Sequence, residues 1–197
     1  MRPGILYKKA GILLGFIPLI IYGVLAGSSV SSIITALGAA TIVTVLAGFP
    51  DLRKGRILMW TTLVLFGGAF IAVEVLNMIG IIPWMGVLIY ATLATVTFGS
   101  ILAKIPFTLQ YAREMVDRQL WENPVFFRVN VLMTGVWGGV FVINLLLNYL
   151  MLVNSELPGR IASPLTYIVL VAGIVFTIWY PGHLRKGQSQ AHRQGGS

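Results

Sequence analysis

The sequence predicts an all-α membrane protein, and three observations carry that prediction. Hydrophobic residues make up 57% of the 197-residue chain and charged residues only 10%, with a mean hydropathy of +0.87; soluble domains carry about a quarter of their residues as charges. The apolar residues gather into six stretches, each close to the roughly 20 residues that a helix needs to cross about 30 Å of hydrocarbon. Of the fourteen Lys and Arg residues, all but Arg160 fall on one side of the layout that these stretches define.

The six expected spans run from Ala10 to Gly27, Val30 to Phe49, Ile57 to Ile79, Trp84 to Ile105, Phe127 to Leu152 and Ile161 to Tyr180. Gly27-Ser28-Ser29, the Gly80-to-Pro83 segment and the Asn154-to-Arg160 segment are short and rich in turn residues, so the helices are expected to pair as three hairpins. The longer connections and both termini then share the opposite side. By the positive-inside rule that side is cytoplasmic. Residues 1–182 form one six-helix domain in this reading, because the spans leave no stretch for a separate soluble core, and 183–197 is a basic, flexible tail. The first stretch follows Lys8 and Lys9 and ends in Val24-Leu25-Ala26, like a secretory signal. It is read as a retained span because a second span follows at once.

Each helix running inward is expected to end in an apolar or aromatic residue followed by proline: Phe49-Pro50, Ile105-Pro106 and Tyr180-Pro181. Leu-Arg-Lys-Gly recurs at Leu52 to Gly55 and at Leu184 to Gly187. The regularity fits either duplication of an ancestral hairpin or the general placement of proline and basic residues at a cytoplasmic surface. Gly11 and Gly15, Gly23 and Gly27, and Gly135 and Gly139 are spaced four apart, a pattern that lets helices approach closely, and Gly138-Gly139 offers a hinge.

The segment Lys104 to Asn130, which takes in the longest connection between spans, concentrates the charge. Read at helical spacing from Pro106, Leu109, Ala112, Met115, Val116 and Leu120 form one apolar stripe, with Arg113, Asp117 and Arg118 off it. Glu114 and Arg118 stand four apart in the favourable order for an ion pair. Tyr111 and Trp121 supply rings suited to headgroup depth. The expectation is a cytoplasmic helix lying in the interface between the fourth and fifth spans, ended by Asn123-Pro124. It serves either as a connector or as a docking or gating element, with Arg113, Glu114, Asp117, Arg118, Trp121 and Arg128 as candidate contacts to a protein partner or to anionic lipid.

FTLQYARE at Phe107 to Glu114, WENPVFFRVN at Trp121 to Asn130 and Thr-x-x-Trp-Gly at Thr134 to Gly138 resemble a pattern in uncharacterised bacterial and archaeal integral membrane proteins. The whole layout is more distantly similar to the septation protein A family of small inner-membrane proteins. That likeness rests on Ile17 to Ile20, Lys104 at the end of the fourth span, and the Trp121 to Asn130 spacing. The resemblance to the septation family implies a role in cell-envelope assembly as a partner of other membrane proteins; neither resemblance implies catalytic residues.

Glu74 is the acidic residue inside a span, and intramembrane carboxylates are functional candidates. Counted from Arg56 it stands roughly 27 Å along its helix, in the outer leaflet, and Asn144 stands roughly 24 Å along from Arg128. Thr35, Asn148, Thr166 and Tyr167 lie near the same level, so an outer polar pocket is expected if the helix faces converge. The competing reading has Glu74 reaching water at its helix end, with Asn144 and Asn148 as interhelical hydrogen-bonding groups.

Enzyme chemistry finds little support. Cys is absent, His183 and His192 lie in the tail without metal-ligand spacing, and there is no nucleophile elbow or phosphate-cradling Gly-rich loop. No catalytic, cofactor or metal residues are assigned. The expected partners are membrane lipids, other membrane proteins or a second copy of the chain, and not nucleic acid, because the positive charge sits where a membrane surface explains it. The leading reading is a non-enzymatic accessory, scaffold or envelope-assembly protein; the alternative is a small transporter or channel using the pocket around Glu74.

Overall fold

The computed structural model describes residues 15–154 and 164–180, and these are all-α. The helices are α1 (Ile17–Leu25), α2 (Val30–Arg53), α3 (Ile57–Phe70), α4 (Met85–Leu102), α5 (Phe107–Ala112), α6 (Pro124–Val153) and α7 (Pro164–Tyr180). Helix α3 continues into a π-helical turn, Ile71–Val75, and a 3-10 stretch, Ile79–Trp84, leads into α4. Four of the resulting helical runs are long and apolar enough to cross a membrane: Val30–Arg53, Ile57–Val75, Ile79–Leu102 and Pro124–Val153. These correspond to the second to fifth expected spans. Helix α7 is a shorter apolar helix, and the first expected span is described only from residue 15 onward. The Asn154-to-Arg160 turn beyond its first residue, Gly11, Pro181 and the 183–197 tail lie outside the described residues.

Local chemistry sets the helix ends. Ser29 caps α2 by accepting a hydrogen bond from the Ser32 N–H, and Asn123 caps α6 by accepting one from the Val125 N–H, with Pro124 pre-set for the first turn. Pro50 does not end α2 as its position suggested. It sits inside the helix, which runs on to Arg53 and stops at Gly55, where a positive φ of 67° is needed. There the Arg56 N–H returns to the Asp51 carbonyl and the Gly55 N–H to Leu52, the paired bonds of a Schellman stop. Helix α4 ends the same way: Ile105 N–H reaches Ser100 and Lys104 N–H reaches Ile101. Its left-handed position, however, holds Lys104, at φ 59°. Since a side chain there costs about 1–2 kcal/mol of backbone energy, part of it offset by the chain entropy of glycine, Lys104→Gly should stabilise the protein by about 0.5–1 kcal/mol. Unfolding in one fixed detergent measures it; a lower midpoint would mean that the Lys104 side chain contributes more than its conformation costs.

The core is one cluster running through the bundle, with Leu37, Phe66, Ile89, Leu93, Trp137 and Phe141 at its centre. Helices α4 and α6 are its most closely associated pair, running antiparallel. A Cβ on Gly86 would collide with the Asn148 side chain, and one on Gly138 would collide with the Phe98 ring. The small-residue spacing identified Gly135 and Gly139 instead, but both face open space, and the contact belongs to Gly138 between them. Helix α6 also runs unbroken through Gly138-Gly139, because no proline or inserted group interrupts its ladder. Trp60, Leu46, Leu102 and Leu146 are among the large apolar side chains left on the outside, the surface that hydrocarbon solvates in an all-α membrane protein.

Candidate functional site

Every described Asp, Glu, Lys and Arg except Glu74 lies at one end of the bundle, where α2 and α4 finish and α3 and α6 begin. At its centre is Arg56, only 5% exposed. Its Nη1 contacts Asp51 Oδ1 at 3.0 Å and its Nη2 contacts Glu114 Oε2 at 2.6 Å. Lys54 Nζ meets the other Glu114 oxygen at 2.7 Å, and the Arg56 guanidinium lies 4.1 Å from the centre of the Tyr111 ring. Burial works against the Arg56 charge, but the Glu114 bond and the nearby carboxylates outweigh it and push its pKa above the ordinary arginine value. Burial would likewise raise Glu114, yet the bonds from Arg56 and Lys54 prevail and hold its carboxyl below the usual value. Tyr111 is pushed up, chiefly by burial.

This network joins the α2–α3 turn to the α4–α6 connection. Gln110 Oε1 accepts from the Ile57 N–H at 3.0 Å, satisfying a donor that the start of α3 leaves open. On the other side of α5, Thr108 Oγ1 donates to the Asn130 carbonyl at 2.9 Å and lies 2.8 Å from Thr134 Oγ1. Ser100 Oγ accepts from the Phe107 N–H at 3.2 Å. Phe107, Thr108, Leu109 and Tyr111 are therefore buried against protein.

The expected single amphipathic helix is accordingly not what forms. Helix α5 gives way to a 3-10 turn at Arg113–Met115, Val116 is extended (φ −131°, ψ 159°), and a second 3-10 turn follows at Arg118–Leu120. The stripe is split: Leu109 packs inward, whereas Met115 and Leu120 are exposed. The break also separates Glu114 from Arg118, so the expected pair is replaced by the Glu114 bridges to Lys54 and Arg56. Arg113 and Arg118 instead place their guanidinium carbons 5.4 and 5.6 Å from the Trp121 ring centre, and Trp121 Nε1 donates to the Arg113 carbonyl at 3.0 Å. Asp117 and Arg128 are exposed. Glu114, Met115, Val116, Asp117 and Leu120 line an open groove of about 300 Å³.

The outer candidates separate into two sets. Glu74 is exposed on the π-helical turn, and Thr35 is exposed with its hydroxyl donating to the Ser31 carbonyl at 2.9 Å. Asn144 is fully buried, and its Nδ2 donates to the Val140 carbonyl at 3.0 Å, while Asn148 Nδ2 donates to the Asn144 carbonyl at 2.8 Å. Both bonds stay within α6, and Asn144 Oδ1 accepts none. Thr166 is buried in α7, and the Tyr167 hydroxyl donates to the Gly23 carbonyl at 3.1 Å, tying α7 to α1. Among the described residues, no hydrogen bond or ion pair joins Glu74 or Thr35 to the others.

Sequence reasoning missed Asp51, Lys54, Arg56 and Gln110. The repeated Leu-Arg-Lys-Gly contained the only usable signal, and it reads equally well as surface charge. The fold and this end define an all-α membrane protein in which the described charges other than Glu74 are collected, and partly buried, at one end of the helices. Comparison of the chain with protein-family models, with curated proteins and with solved structures found no match.

Proposed function

We propose that the chain is a non-enzymatic membrane protein of six spans in three hairpins, with both termini cytoplasmic, in a prokaryotic cytoplasmic membrane. It acts as an accessory, scaffold or envelope-assembly component, presenting its charged end to another membrane protein. The observation that supports this reading is the groove between Glu114 and Leu120. Its exposed Met115 and Leu120 stand on a segment fixed from beneath by Arg56 and Thr108, so they are held out rather than left to collapse. The rim carboxylates Glu114 and Asp117 would orient a partner surface bearing basic residues.

A second reading rests on Glu74. A carboxylate on a π-helical turn, far from every other described charge, fits a small transporter or channel, since such turns recur at functional positions. One experiment separates the two. With a photocrosslinking residue at Gln119, in living cells, a discrete adduct should form and should be lost in Met115→Asp/Leu120→Asp but kept in Glu74→Gln. Loss of cellular function in Glu74→Gln with the adduct intact would favour the transporter; absence of any adduct would remove the scaffold reading.

A further inference from the structure

We propose that Arg113, Arg118 and Trp121 form a binding site for the phosphate of an anionic membrane phospholipid. Both arginines lie against one indole, with guanidinium carbons 5.4 and 5.6 Å from its centre, and neither makes an ion pair with another described residue. The carboxylate beside Arg113 in sequence is not available to it, because both oxygens of Glu114 are engaged by Lys54 and Arg56. Asp117 precedes Arg118 directly, yet no ion pair forms between them.

The platform is also fixed before any ligand arrives. Trp121 is held by its bond to the Arg113 carbonyl, so the indole and both cations keep their relation without a bound anion. An aromatic ring contacted by two cations suits the membrane interface, where indoles settle at headgroup depth and each basic residue contributes to the attraction of anionic lipid. Val125, exposed in the first turn of α6, adds an apolar neighbour where that helix starts its span. The source of the phosphate is thus a lipid headgroup. The site rests on the reading that this end of the bundle lies at the membrane surface.

The test uses the full chain in nanodiscs containing equal amounts of phosphatidylglycerol and phosphatidylcholine, with retained lipid read by native mass spectrometry. Phosphatidylglycerol should be enriched on the wild type. Arg118→Gln, a change at an exposed side chain, should reduce that enrichment about fivefold, and Arg113→Gln/Arg118→Gln by more than an order of magnitude. Arg53→Gln removes the same charge at the same end and should reduce it no more than about twofold, because it lies outside the site and is screened. Equal losses in Arg53→Gln and Arg118→Gln would reduce the effect to diffuse charge, and no enrichment on the wild type would leave no site. Displacement of the lipid by millimolar inorganic phosphate would assign a free-anion site instead. A spin label at Gln119→Cys keeps the two layers of the argument apart: headgroup depth without enrichment overturns the lipid site alone, whereas a label far out in water overturns the placement of this end at the membrane.

Discussion

Arg56→Met is expected to destabilise the protein by about 3 kcal/mol, the low end of what removing one partner from a buried ion pair costs. The reason is Asp51, which is 8% exposed, whose carboxyl burial already pushes up, and which would lose its closest counter-charge in a poorly solvated place. Glu114 contributes less to the loss, since its side chain is 43% exposed and Lys54 still reaches it. Asp51→Asn/Arg56→Met should recover most of the stability, because no charge is then left at position 51 without its partner. Reversible unfolding in one mild detergent reads both values. Equal losses in the single and double variants would show that Arg56 acts through its packing on Tyr111 rather than through charge.

The same substitution should loosen the α4–α6 connection before it unfolds the bundle, so hydrogen exchange should quicken over 107–121 more than in α4 or α6. Acid should have a milder effect of the same kind. The folded pKa of Glu114 lies below its ordinary value, so its bridge is complete above the ordinary carboxylate range and is lost as pH falls through the lower folded value. Glu114→Gln should remove that acid dependence of exchange at Arg113 to Met115.

The all-helical class and the long apolar runs were legible because hydrocarbon thickness sets their length and composition marks them. The stops were less so. Pro50 resembles a terminator, but a proline in the last turn can be accommodated when Gly55 supplies the true stop three residues after the next leucine, so the helix ran on to Arg53. The interfacial stripe failed for a related reason. Periodicity from Leu109 to Leu120 assumes one unbroken helix, and nothing in that pattern reveals that Thr108 will bond to Asn130 or that Val116 will be extended. The Arg56 network was illegible because it joins two segments far apart in the chain, Lys54 and Glu114 being 60 positions apart, and a buried arginine and a solvated one look alike in sequence. Arg113, Arg118 and Trp121 stood among six candidate contact residues, and the geometry that brings both arginines to one indole depended on the helix break.

Trp137→Ala is expected to cost about 3 kcal/mol, the other large effect in this bundle. Trp137 is 1% exposed and belongs to three helical contacts at once. Its ring stacks on Phe16, just before α1, at 4.2 Å and 21°, and lies 5.5 Å from Phe141 in its own helix. Its Nε1 donates to Thr177 Oγ1 in α7 at 3.0 Å. Gly173, one turn earlier on α7, leaves the room that the ring occupies: a Cβ there would stand 3.4 Å from the indole and 3.2 Å from Val140. The low end of the range applies because a ring that leaves the core of a membrane protein is transferred to hydrocarbon rather than water, so the loss is mainly of packing and of the hydrogen bond. Trp137→Phe keeps much of the packing and should cost about 1 kcal/mol, mostly for the indole N–H that Thr177 Oγ1 no longer accepts, while the Thr177 hydroxyl still donates to the Gly173 carbonyl at 2.8 Å. Thr177→Val should then cost little in the Trp137→Phe background but more in the wild type. If Thr177→Val costs the same in both, the indole N–H adds nothing to the attachment of α7, and the contact with Gly173 alone holds that helix against α6.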